Sequence, residues 1–322
     1  MTTVAYTSLP PAGEGFLWRF RREISVLLAY LAILVALGIF RPAFYRAQFR
    51  ATWVSAAPTL VAAVGMTLVI ISRQIDISVG SQFCVCGILA GSLAAAGWPV
   101  WAAGLGAIVG GGVMGAVNGA LVAGLKLPSI VVTLATMVIL RGLLLWESSG
   151  AAVYLPDGFQ WFGRSQQAGQ TIIVIVALLV LLVFACGMRW LAGGRSVYAV
   201  GSDEEAARLA GIRPKRVIFW TFVITGALTG LAALLNTTKF VLVYPNAGEG
   251  FELQVIAAVV VGGTAISGGR GTLVGTLIGV ALLGTIGSAL VFLHIQPQWA
   301  KAIQGAIILL AVASDGLYRR AR

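Results

Sequence analysis

Charge is what this chain has least of. Only 10% of its 322 residues are Asp, Glu, Lys or Arg, and only 11 are acidic. A soluble domain carries about a quarter charged residues, so there is too little polar surface here to face water. Histidine occurs once, at His294, which excludes His-clustered metal sites and the H-E-x-x-H pattern. No Gly-Lys dipeptide occurs, so the chain has no P-loop of its own, and no G-x-S-x-G supplies a nucleophile elbow. The three cysteines, Cys84, Cys86 and Cys186, sit in apolar runs at spacings that match neither C-x-x-C nor a disulfide framework, and they read as small hydrophobes. No hydrophilic block is long enough for a second domain.

What is present is hydrocarbon and glycine: 59% hydrophobic residues, 41 glycines and a mean hydropathy of +0.94. A bilayer core of roughly 30 Å takes about 20 apolar residues of helix, and such runs recur. The expected fold is all-α, a polytopic membrane protein of about ten transmembrane helices. The spans fall at 24–40, 52–72, 80–97, 100–124, 128–146, 170–188, 217–235, 252–267, 271–293 and 299–314. Residues 1–23 read as a cytoplasmic segment rather than a cleavable signal, because Arg19, Arg21 and Arg22 lead straight into a span with no small-residue cleavage site behind it. Residues 24–316 form the permease domain, and 317–322 a cytoplasmic tail.

Orientation follows from Lys and Arg. With the N-terminus inside, the 22 basic residues divide as 15 inside, 6 outside and Arg141 within a span, so both termini are cytoplasmic. The triplet Arg41, Arg46 and Arg50 opposes this assignment and marks an interfacial segment. The formal charge of +11 is thus explained by membrane topology, with no nucleic acid partner.

Glycine spacing is the strongest local signal. Gly111, Gly115 and Gly119 stand four apart, as do Gly271, Gly275 and Gly279, and Gly226 with Gly230; each set marks a helix face for close backbone approach. A faint internal echo, "GALVAGLKLP" with "SALVFLHIQP" and "ISVG" with "ISGG", is of the kind that transporter repeats leave.

Within "LVIISRQIDISVGSQFCVCG" (68–87) an apolar run stops, spells Arg73-Gln74-Ile75-Asp76 and resumes. Asp76 or Ser78 is expected to cap the next helix, with Gly80 and Ser81 allowing a tight turn. Charge at the bilayer centre is costly, so two readings stay open: an ordinary polar inner loop, or a broken helix bordering a solute path. The longest polar run, "GRSVYAVGSDEEAARLAGIRPKRV" (194–217), is read as cytoplasmic. Asp203, Glu204 and Glu205 load the start of a short helix through Ala206, Ala207 and Arg208, Gly211 ends it and Pro214 prevents continuation. It is either a docking element for a soluble partner or a solvated connection. On the outside, 148–163 and 236–254 combine aromatics, glycine and acids; Tyr154, Trp161 and Phe162 form either an interfacial belt or a partner contact.

Five motifs together carry a resemblance: "GMTLVIISRQIDISVGS", "NGALVAGLKLPSIVVTLATMVILRG", "GRSVYAVGSDEEAARLAGI", "PNAGEGFELQVIAAVVVGGTAISGGRGTLVGTLIG" and "AIILLAV". In this order over about 24–316, they resemble the permease subunits of ribose-type ATP-binding-cassette sugar importers. The resemblance implies a multi-pass protein of the bacterial inner membrane, pairing with a second permease chain as a homo- or heterodimer. It implies a cytoplasmic ATPase holding the ATP and Mg, with no cofactor or metal on this chain, and a periplasmic sugar-binding protein. Glu205 to Gly211 match the family's coupling segment. Asp76, Ser78, Gly80, Ser81, Asn118, Thr133 and Thr136 are expected along the path or gate, and Pro245, Asn246, Glu249 and Glu252 at the binding-protein contact. Arg73-Gln74 stands where the family commonly has Gly-Gly, a variant similar to permeases for autoinducer-2 and rhamnose, and "LLLWESSG" and "GFQWFG" lean the same way. The competing class is a stand-alone ion-coupled carrier, which would need intramembrane carboxylates; only Asp76 and Glu252 come near the lipid region. An intramembrane enzyme lacks the residues for it.

Overall fold

The computed structural model describes residues 21–295 and, beyond them, 299, 302, 303, 305, 306 and 309. The helices are α1 (Arg21–Phe40), α2 (Ala43–Ile71), α3 (Val79–Ala95), α4 (Val100–Gly119), α5 (Ser129–Ser148), α6 (Gln166–Trp190), α7 (Ala192–Ser202), α8 (Glu204–Leu209), α9 (Pro214–Thr237), α10 (Phe251–Val261) and α11 (Leu273–Phe292). A π turn, Ala120–Gly124, extends α4. The one sheet among the described residues is a two-residue antiparallel pair, β1 (Val153–Tyr154) with β2 (Leu242–Val243). The chain is therefore an all-α polytopic membrane protein.

Seven of these helices are long and apolar enough to cross a membrane. Two that were expected to cross are shorter. At a rise of 1.5 Å per residue, α3 covers roughly 25 Å and α10 only roughly 16 Å, against a core of roughly 30 Å. The expected span at 252–267 thus ends at Val261. Gly263 takes the left-handed φ of 96°, and residues 264–272 continue without helix. The apolar composition carries on past the stop, but the backbone does not. The last expected span, 299–314, the stretch 1–20 and the tail at 317–322 lie outside the described residues, apart from the helical positions 299, 302, 303, 305, 306 and 309.

The core is built on α2, whose apolar window is 94% buried, as a helix surrounded by others must be. It packs against α9, α11 and α6. The most extensive pairing joins α4 and α9, and glycine explains it. A Cβ on Gly111 would meet the carbonyl of Gly226, one on Gly115 the carbonyl of Phe222, and one on Gly230 the carbonyl of Ala107. Without hydrophobic driving force between helices in lipid, such close approach supplies the attraction. Gly275 and Gly279 of α11 likewise lie on Gly262 and Ala258 at the end of α10, whereas Gly271 sits in the preceding loop against Thr264, so the expected third set is not one helix face.

Segments assigned to the same side by charge meet at the same end of the bundle. At one end Thr272 Oγ1 donates to Glu23 Oε1 (3.2 Å), Lys215 Nζ to the carbonyl of Gly124 (3.4 Å), and Arg73 to Ser202 and Ser267. At the other, Arg50 donates to the carbonyl of Gln167 (2.9 Å), β1 pairs with β2, and the Trp161 amide donates to Thr238. Arg46 and Arg50 ride on the first turns of α2, ahead of or at the start of its apolar window Gln48–Ile71.

Candidate translocation site and coupling surface

The interruption at 72–78 is not only a surface loop. Asp76, Ser78, Ser81, Gln82, Asn118 and Thr133 are all 0–1% exposed. Because non-helical backbone at membrane depth has no water to satisfy it, other helices must do so. The Ile75 amide donates to Ser129 Oγ (3.2 Å) and the Ile77 amide to Thr133 Oγ1 (3.1 Å), both from the first turns of α5. The Asp76 carboxylate folds back on its own chain, with Oδ1 accepting from the Ser78 amide (2.9 Å) and hydroxyl. Ser78 Oγ in turn accepts from Gln82 Nε2 (2.6 Å) and Asn118 Nδ2 (2.8 Å), and Asn118 Oδ1 accepts from Thr136 Oγ1 (2.7 Å). Ser81 Oγ donates to the carbonyl of Ser78 (2.8 Å). One chain of polar contacts thus joins the break to α4 and α5. Neither Asp76 nor Ser78 caps α3 in the expected way: Ser78 stands at the N-cap, but its hydroxyl donates to Asp76. The stretch starts exposed at Arg73 and is buried at Asp76 and Ser78, which favours a broken helix over an ordinary polar inner loop. Gln82 Oε1 is left buried without a partner.

A second interruption, at 244–250, comes from the opposite end. Cys84 Sγ on α3 donates to the carbonyl of Pro245 (2.9 Å), and Gly248 lies against the backbone of Gly80, too close for a side chain on either. The chain then enters α10, whose second residue, Glu252, rests on Gly80 and pairs with Arg141 of α5 (3.3 Å). The two breaks therefore meet at Gly80, with the polar network on one side and an Arg141–Glu252 ion pair on the other. Arg141, which charge counting leaves stranded in a span, has its partner 111 positions away.

This changes the expected outer contact. Asn246 and Glu249 are exposed, but Pro245 is buried and Glu252 is 7% exposed with its carboxylate paired, so these two offer a docking protein no surface. The outer segments 148–163 and 236–254 do come together, through β1–β2 and through the Leu155 amide on Val241 (2.9 Å). Tyr154 is 73% exposed, while Trp161 and Phe162 pack on the core with positive φ, so these aromatics have separate duties.

The polar run at 194–217 covers most of α7, all of α8 and the first turn of α9. In α8, Asp203 Oδ1 accepts from the amides of Glu205 (2.9 Å) and Ala206 (3.0 Å), an N-cap. The other end closes with Gly211 at φ 84° and the Ile212 amide on the Ala207 carbonyl (3.0 Å), and Pro214 starts α9. Glu204, Glu205, Ala206, Arg208 and Gly211 are exposed, and Ala207 alone is buried as an anchor. Glu205 and Arg208 pair on the surface, and that hydrogen bond holds the Glu205 carboxyl below its ordinary range.

A polytopic bundle with two interior helix breaks is an arrangement found in membrane transporters. The chain belongs to the family described as branched-chain amino acid transport system / permease component, whose model matches residues 49–312. It is 34% identical over 300 residues to the autoinducer 2 import system permease protein of Salmonella typhi, covering 92% of this chain and 86% of that protein. It is 33% identical over 303 residues to the ribose import permease protein of Escherichia coli strain K12, covering 91% and 93%. The resemblance drawn from the five motifs holds: the chain is a permease of the ribose-type importer group, a transport subunit.

Proposed function

We propose that this chain is one half of an inner-membrane permease dimer that imports a monosaccharide or sugar-like solute, with both termini cytoplasmic. Among solutes, the relatives' names favour ribose and autoinducer-2, and the Arg73-Gln74 variant favours autoinducer-2 or rhamnose. A periplasmic binding protein delivers the solute to the outer cap, where Asn246 and Glu249 are exposed beside β1 and β2. A cytoplasmic ATPase binding ATP and Mg grips α8 through Asp203, Glu204, Glu205 and Arg208. Its closure shifts the end of the bundle on which α8 stands. The gate lies where the two breaks meet, between the Asp76, Ser78, Asn118 and Thr136 network and the Arg141–Glu252 pair. Discontinuous helices meeting at membrane depth are the usual architecture of a solute gate.

The observation that carries this reading is α8 itself: capped at both ends, exposed on every side but Ala207, and standing at the end of the bundle where the 72–78 break begins. The family match favours the importer over a stand-alone carrier, although a buried carboxylate such as Asp76 is what a carrier would need. Reconstitution in liposomes separates them. Uptake of labelled ribose or autoinducer-2 that requires the ATPase, ATP and the binding protein supports the importer. Uptake by the purified chain along an ion gradient, with no ATPase present, overturns it.

A further inference from the structure

We infer that Arg73 is the positioning residue that makes the root of α8, the 264–272 loop and the 72–78 break move as one body. The inference rests on α8 being the ATPase handle. Arg73 follows the C-cap of α2 directly and holds φ at 63°, a left-handed backbone that a side chain other than glycine adopts at a cost. What the cost secures is visible in its guanidinium. Nε donates to the carbonyl of Ser267 (2.8 Å) and Nη2 to the carbonyl of Ser202 (2.7 Å). A planar, always charged fork can hold two carbonyls of two different elements at once, which an ammonium on a flexible stem does less well.

The carbonyls belong to informative places. Ser202 is the last residue of α7, and the next residue, Asp203, is the N-cap of α8. Ser267 lies in the loop that follows the half-length α10, whose other end carries Glu252 of the gate pair. Arg73 itself is three residues before Asp76. The surrounding backbone is already close: the Gly269 amide donates to the carbonyl of Ile71 (2.9 Å), Tyr198 Oη donates to the carbonyl of Gly271 (2.8 Å), and Gly201 lies against Ile71. Those contacts bring the three segments together. Tyr198 ties α7 to that loop directly; the Arg73 fork adds the tie from the break itself, holding Ser202 and Ser267 with one side chain.

Arg73→Gly tests this, because glycine suits the left-handed φ and removes the fork without straining the fold. In the complex with the ATPase and binding protein, with labelled ribose and autoinducer-2 as probes, uptake per ATP hydrolysed should fall about tenfold in R73G, within the usual range of coupling between sites. ATP hydrolysis should stay within about twofold of the unaltered protein, and the melting temperature should not fall. R73K, which keeps the charge but not the fork, should lie between them. An unchanged ratio of uptake to hydrolysis overturns the inference. So does a loss of uptake, hydrolysis and melting temperature together, which would mean a merely structural contact. A second measurement stands apart from the ATPase: spin labels at the exposed positions 209 and 270, with the three cysteines replaced by alanine. The inter-label distance distribution should broaden in R73G, and an unaltered distribution overturns the clasp. If the wild-type chain takes up the probes with no ATPase, the handle reading fails, while the label distances still report on the joint.

Discussion

Two polar interruptions divide this chain, one at 72–78 and one at 203–211, and they solve the same problem in opposite ways. The second satisfies itself: Asp203 caps one end, the Gly211 turn closes the other, and Glu205 pairs with Arg208 three residues on, all in contact with water. The first satisfies itself only in part. The amides of residues 72–74 close on the end of α2 and Asp76 holds the Ser78 amide, but the Ile75 and Ile77 amides and the outer side of the Ser78 hydroxyl depend on Ser129, Thr133 and Asn118 from two other helices. A polar break that is locally complete can be handled from outside; one completed by its neighbours is fixed to them and moves when they move.

That contrast can be broken at four points, from the largest expected loss of stability to the smallest. Gly115→Leu drives a side chain into the Phe222 carbonyl on α9, where neither backbone can yield, and should cost about 3 kcal/mol or more. A thermal melt in detergent and an uptake assay would read it, and normal values in both would show the α4–α9 seam to be loose. Arg141→Met leaves Glu252 buried without its cation. Because Arg141 is itself a third exposed, the loss should sit at the low end of the roughly 3–5 kcal/mol seen on breaking buried pairs. The double substitution R141M/E252M should recover most of it in a double-mutant cycle, and no recovery would mean the pair does not interact.

Asp76→Ala strands the Ser78 amide and hydroxyl and should cost about 1–3 kcal/mol. Asp76→Asn should stay within about 1 kcal/mol, because the side-chain oxygen can go on accepting from the Ser78 amide and hydroxyl and only the long Gln82 contact (3.4 Å) is lost. Equal losses for the two variants would contradict the described network. Finally, E204K/E205K falls on the self-sufficient stub and should change stability by no more than about 0.5 kcal/mol while abolishing copurification of the ATPase. A large fall in melting temperature would mean that the polar side chains of this segment, and not only Ala207, lean on their surroundings.

Much of the fold was readable because crossing a bilayer demands long apolar helices, and α1, α4, α5, α6 and α9 begin and end within a few residues of the expected bounds. The stub at 203–211 was readable for another reason: its cap, charges and glycine are all local. The end of α10 was not. "VIAAVVVGGTAISGG" stays apolar through the stop, and hydropathy does not register a backbone turn at Gly263. The glycine faces on α4 and α9 were visible singly, but nothing in their spacing says that they face each other. Glu252 is hidden for the same reason: the sequence offers it both to an outer contact and to the lipid region, and only packing brings it a cation 111 residues away. Pairings across the bundle are made by packing, and packing leaves no mark in a local window.

A six-residue helix has its own lesson. Isolated helices below about 12–15 residues are marginal in water, so the segment Glu204–Leu209 does not hold its shape by propensity. Its conformation is lent by Ala207 seated in the cluster formed with Val200, Ile218 and Phe222. Only a correctly assembled bundle presents that shape. A soluble protein that recognises it would therefore inspect the folding of the whole permease before committing any fuel to it.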